Sequence, residues 1–181
     1  MRPPQYIAAE PRLTPTLIAL AILAAALATI GAALAFEHVG GYEPCALCLK
    51  ERAPYYATVP LALAAVVAAR RRPGRLLTAG FFAFIALVML YGAGLGVYHA
   101  GIEWRLWEGP ATCAEGVGAP ASAGAMLESL RAGAIGPSCT EAVWRFAGLS
   151  FAGWNAIIAA CLALLACLGV RRVYGSSSVS Q

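Results

Sequence analysis

Four stretches of the chain run for membrane-spanning length without any Asp, Glu, Lys or Arg: 16–36, 53–69, 76–98 and 149–170. They are 21, 17, 23 and 22 residues long, against the ~20 that carry a helix across a bilayer. A single run of this kind also suits a buried helix in a soluble protein. Four of them in 181 residues leave no polar face for such a protein, so the pattern predicts an all-α membrane protein, a bundle of four transmembrane helices. The second run is the shortest and holds Pro54 and Pro60. Pro54 suits a first helical turn, where its missing N–H costs little, and Pro60 is expected to kink the helix.

The polar connections orient the bundle. Arg70, Arg71, Arg72 and Arg75 crowd the link between the second and third runs, Arg171 and Arg172 follow the fourth, and Arg2 and Arg12 precede the first. One side thus holds eight basic residues and one Glu, +7; the other holds five basic residues and eight Glu, −3. Lys and Arg collect on the cytoplasmic side. Both termini are therefore expected in the cytoplasm, with loops 37–52 and 99–148 facing outward. The net charge of +4 follows from this topology and implies no nucleic-acid partner. Ala33-Leu34-Ala35 resembles a cleavage site, but the preceding apolar run is longer than the 7–15 residues usual in a signal peptide. Cleavage would leave the loops outward in any case.

Composition agrees: 60% of residues are hydrophobic and 12% charged, where soluble domains carry about 25% charged. The chain reads as one integral membrane domain over 1–181, without repeats. Its long outer loop is rich in Gly, Pro and Ala and too poor in apolar residues to form its own core. Met126, Leu127 and Leu130 are spaced as one apolar helix face, so a short helix over 125–131 is expected to lie in the bilayer interface. Tyr98, Trp104, Trp107 and Trp144 flank the outer ends of the third and fourth runs, as an aromatic belt does.

The candidate chemistry lies in the outward loops. Cys45-Ala46-Leu47-Cys48 occupies the first, and Cys113 and Cys139 the second. Structural zinc takes two close ligand pairs, whereas Cys113 and Cys139 are 26 positions apart; no metal is expected. Leu49 stands where haem attachment requires His. Purely structural disulfides remain an alternative. A bridge across the long loop would stabilise it by about 3 kcal/mol in the chain-entropy model, but a C-x-x-C bridge closes so small a ring that it constrains little. Its usual value is redox, with one thiol attacking while the other waits at bonding distance. A helix beginning near Pro44 and the positive charge of Arg52, one turn beyond Cys48, would both stabilise a thiolate. Arg52 also suits an interface anchor.

The segment Pro44-Cys45-Ala46-Leu47-Cys48-Leu49-Lys50-Glu51-Arg52 resembles the disulfide bond formation protein B (DsbB) family. The likeness includes Phe36-Glu37-His38, Tyr98-His99, Thr112-Cys113 and Cys139 through Leu149, and it takes in all four runs in order. The DsbA–DsbB–quinone route is established for that family. By resemblance the protein sits in the bacterial inner membrane, reoxidises a periplasmic DsbA-like dithiol oxidase and passes two electrons to a membrane quinone, ubiquinone or menaquinone. The resemblance implies that the partner attacks Cys113, that Cys139 is the leaving group and next meets the Cys45–Cys48 disulfide at Cys45, and that Cys48 is released beside the quinone. It implies quinone-binding roles for Arg52 and His99, although a lone interfacial His also suits an anchor.

Two other readings stay open at this level. One is a non-catalytic four-helix membrane protein braced by disulfides. The other is a quinone reductase of the vitamin K epoxide reductase type, whose C-x-x-C usually lies on a late helix, whereas here it precedes the second. Cys161 and Cys167, within the fourth run, are expected to behave as small hydrophobes. Gly92 and Gly96 form a G-x-x-x-G, the mark of a close-packed helix face.

Overall fold

The computed structural model describes residues 13–71, 74–110 and 139–175. Among these are four long helices, α1 (Pro15–His38), α2 (Ala46–Arg71), α3 (Arg75–Glu103) and α4 (Phe151–Gly175), and two short strands, β1 (Arg145–Phe146) and β2 (Leu149–Ser150). All four helices are long and apolar enough to cross a membrane. The chain is thus a four-helix membrane bundle, as the charge-free runs predict. The short helix expected over 125–131, and Cys113 with it, lie outside the described residues.

Local chemistry sets the helix ends. Thr14 Oγ1 accepts from the N–H of Leu17 at 3.3 Å and Pro15 fills the first turn of α1, a favoured capping arrangement. Two helices outrun their charge-free segments. α2 starts at Ala46 rather than Ala53 and passes through Pro54 and Pro60 as one element. α3 continues past Tyr98 to Glu103. Absence of charge marks only the lipid-crossing part, whereas backbone hydrogen bonding carries the helix beyond it. Each helix thereby acquires polar residues: Glu51 and Arg52 on α2, His99 and Glu103 on α3.

The core runs along the bundle axis through Ile18 and Ile22 of α1, Tyr55 of α2, Phe82, Ile85 and Met89 of α3, and Leu162 and Ala166 of α4. α3 and α4 share the most extensive contact. At Gly96 an added Cβ would lie 2.8 Å from the backbone N of Ala156, so glycine is what lets these two backbones touch. Gly92, one turn earlier, faces Pro54 of α2 at 3.1 Å and Ala159 of α4 at 3.7 Å.

One feature was not anticipated. β1 and β2 pair antiparallel, Arg145 with Ser150 and Phe146 with Leu149, around Ala147 and Gly148, both at positive φ (51° and 82°). Two such residues form the tight hairpin turn whose twist matches the strands. The indole N–H of Trp154 donates to the Phe146 carbonyl at 3.0 Å, and Ser150 Oγ accepts from the N–H of Gly153 at 3.2 Å. The hairpin is thereby folded over the start of α4.

Candidate redox centre and adjoining cavity

The up-and-down connectivity gathers the end of α1, the start of α2, the end of α3 and the start of α4 at one end of the bundle, where the cysteines lie. Cys45 immediately precedes α2, and its sulfur accepts from the backbone N–H of Cys48 at 3.2 Å, as a side chain at a helix N-cap does. The two sulfurs are 2.7 Å apart. On its other side Cys45 Sγ is 3.7 Å from His99 Nε2, and His99 Nδ1 is 2.8 Å from Glu51 Oε1. All of Cys45, His99 and Glu51 are buried. Hydrogen bonding from the Cys48 thiol holds the Cys45 thiol down to about 4; burial opposes this, while His99 and the Cys48 backbone N–H reinforce it. In the dithiol form the thiolate therefore sits on Cys45.

Cys139 is also buried, at 1% exposure, and packs with Cys45, Leu47 and Ile102. Its sulfur, Cys45 Sγ and a His99 ring nitrogen all lie within 4.8 Å of one another. Cys139 is disulfide-bonded, which denies the trio a second thiolate for metal ligation and makes it a setting for sulfur exchange. Cys161 and Cys167 are free and exposed on α4, away from this cluster.

Beside the sulfur pair is a cavity of about 540 Å³, within the size range of small-molecule sites. α2 contributes Cys48, Glu51, Arg52 and Tyr55, and the other walls come from α1, the hairpin and α4. Its lining is mainly apolar and aromatic. Phe36 and Phe151 meet edge to face at 4.9 Å, and Trp144 stacks on Phe151 at 5.0 Å. Arg52 is ion-paired with Glu37 of α1, which holds the guanidinium at the wall. Tyr55 donates to Asn155 Oδ1 at 2.7 Å, whereas Asn155 Nδ2 is buried without a partner.

Of the residues singled out from the sequence, Cys45, Cys48, Cys139, Arg52 and His99 converge at this end of the bundle. His99 stands behind the sulfur pair, against Cys45, and is not part of the cavity lining. Trp144, assigned from sequence to the aromatic belt, also lines the cavity. Glu51, Tyr55 and Asn155 were not singled out. Glu51 carried a signal, one turn beyond the C-x-x-C on the new helix. Asn155 had only its rarity as an amide in an apolar run.

A C-x-x-C at a helix start, a third sulfur within exchange range and a four-helix bundle of membrane length together define a membrane-embedded thiol–disulfide oxidoreductase. The family model described as Disulfide bond formation protein DsbB matches residues 15–169, and the chain belongs to the DsbB family. It is 30% identical over 159 residues to Disulfide bond formation protein B of Aromatoleum aromaticum, covering 86% of this chain and 92% of that one. The corresponding protein of Marinobacter nauticus is 30% identical over 150 residues, with coverages of 80% and 85%. That of a Polaromonas species is 29% identical over 175 residues, with 93% and 95%. No solved structure matches the chain.

Proposed function

We propose that this protein reoxidises a periplasmic DsbA-like dithiol oxidase and delivers the two electrons to a membrane quinone, from an inner-membrane location with both termini in the cytoplasm. The observation that carries this reading is the adjacency of three sulfurs and one cavity: Cys139 within 4.8 Å of Cys45, Cys45 Sγ 2.7 Å from Cys48 Sγ, and Cys48 on the cavity wall. The partner's thiolate attacks Cys113 and expels Cys139. Cys139 then attacks Cys45 of the oxidised Cys45–Cys48 pair, releasing Cys48 at the cavity. The partner's second thiol then displaces Cys113 and leaves the partner oxidised. The freed Cys113 displaces Cys45 from Cys139, restoring the Cys113–Cys139 bond and leaving Cys45 and Cys48 reduced; each exchange makes one sulfur–sulfur bond and breaks one. Return of the Cys45–Cys48 pair to the disulfide sends two electrons onward.

A quinone suits the cavity: its rings match the aromatic lining, and its carbonyl oxygens are acceptors for the unpaired Asn155 Nδ2 donor and for Arg52. When bound it supplies a two-electron, two-proton acceptor. Arg52 orients it as a fixed positive charge, anchored by Glu37. The aromatic walls exclude water from the Cys48 sulfur. The negative side of the charge asymmetry faces the periplasm in this reading.

Purified protein, a reduced DsbA-like partner and ubiquinone or menaquinone should consume one quinone per partner disulfide formed. Cys113→Ser should stop partner oxidation while leaving the reduced Cys45–Cys48 pair able to consume quinone. Inert disulfides and no turnover with either quinone would support the purely structural alternative.

A further inference from the structure

Oxidising the Cys45–Cys48 dithiol releases two electrons and two protons, yet only one of the two sulfurs reaches the cavity. Cys48 is on the wall and can pass its proton there directly; Cys45 is 4% exposed and lines no part of it. The side chain adjoining Cys45 away from Cys48 is His99, through Nε2 at 3.7 Å. The opposite ring nitrogen, Nδ1, meets Glu51 Oε1 at 2.8 Å, and Glu51 is again a wall residue. A path Cys45–His99–Glu51 therefore leads round the C-x-x-C and back to the cavity. A buried ionisable pair is costly to keep if it does nothing but pack, and such pairs gather at functional sites.

We propose that His99 and Glu51 are a proton relay that carries the Cys45 proton to the cavity wall. The inference rests on the quinone reading above. In the reduced pair Cys45 is the thiolate, with the proton it has shed held at His99 Nε2; as the disulfide forms, His99 passes its Nδ1 proton to Glu51 Oε1. Cys48 Sγ gives up its own proton at the wall as the Cys45–Cys48 bond forms. Two electrons from the sulfur pair and two protons, one from Glu51 and one from Cys48, are thus delivered at the wall, the complement that a quinone held there would need to become a quinol. His99 is then catalytic at the sulfur. The charged and titratable groups facing Glu51 are His99 and Glu103 from α3, Cys45 ahead of α2, and Cys48 and Tyr55 on α2. Arg52, next to it in sequence, is engaged by Glu37 of α1.

The test is Glu51→Gln, which keeps shape and an acceptor for His99 but cannot take up a proton. Quinone binding, read by quenching of Trp144 and Trp154 fluorescence, should stay within about twofold of the parent protein, since less than ~0.4 kcal/mol is involved. The single-turnover rate of quinone consumption should fall by about 100-fold, the scale of positioned acid–base catalysis. It should also change form: nearly level with pH in the parent, and falling about tenfold per pH unit in the variant as protons come from bulk water. Independently of quinone, His99→Gln in the reduced protein should move the 240 nm thiolate absorbance of Cys45 to higher pH. A merely structural Glu51 would lower the rate by one factor at every pH, and that result, or an unmoved thiolate titration in His99→Gln, overturns the relay. If the parent protein neither binds nor reduces quinone, it is the quinone reading that fails, and the relay falls with it for want of an acceptor.

Discussion

Replacing Tyr55 with Phe and Asn155 with Leu together should stabilise the quinone-free protein while weakening its hold on quinone. Tyr55 donates to Asn155 Oδ1 at 2.7 Å, but Asn155 Nδ2 is buried with no partner. An unmet buried donor costs about 1–3 kcal/mol, whereas a typical hydrogen bond nets only about 1 kcal/mol. The double variant removes the bond and the orphan together, so the quinone-free protein should gain about 0–2 kcal/mol. Either single substitution strands the other partner and should be less stable than the double variant. With quinone present the sign reverses. A carbonyl that accepts from Nδ2 recovers about 1–2 kcal/mol of the orphan's cost, which the double variant forgoes, raising Kd roughly 5–30-fold. Thermal unfolding in detergent without quinone gives the first quantity, and quenching of Trp144 and Trp154 fluorescence gives the second. An unchanged Kd, or a loss of more than about 1 kcal/mol in the quinone-free double variant, would refute the reasoning.

Further outcomes follow from other contacts. In a Cys113→Ser, Cys139→Ser, Cys161→Ala, Cys167→Ala background, the reduced Cys45–Cys48 pair should show one thiolate at 240 nm from pH 8 down to pH 5. That signal should be lost near pH 4, because the Cys45 thiol is held low and its anion persists until the pH falls to that value; a midpoint near the ordinary cysteine value of about 8.5 would contradict this. Gly96→Ala puts a methyl 2.8 Å from the backbone N of Ala156 and 3.0 Å from the carbonyl of Ala152. Neither neighbour is a flexible side-chain end, so α3 and α4 must separate, at a cost of about 1–3 kcal/mol in detergent unfolding; a neutral result would mean that the two helices are not in backbone contact.

The bundle was legible because a bilayer imposes one demand that a linear pattern records: about 20 residues without charge for each crossing. The cysteine pair was legible for a similar reason, since C-x-x-C at a helix start places both sulfurs by local geometry alone. Glu51 was missed for want of a visible partner: in the fold it is turned to His99, 48 positions away. His99 was found by resemblance, but its neighbour is Cys45 rather than the cavity. Trp144 reads as a belt residue because aromatic rings serve both an interface and a cavity wall, and only packing against Phe151 separates the two uses.

The sequence by itself determined the four membrane-length helices and the C-x-x-C at the start of α2, because each is a property of composition or of residues a few positions apart. Only the tertiary structure decided which thiol is the thiolate, what His99 and Glu51 do for each other, and where a cavity opens. Those depend on side chains from α1, α2, α3 and α4 meeting at one end of the bundle, and separation along the chain carries no record of such meetings.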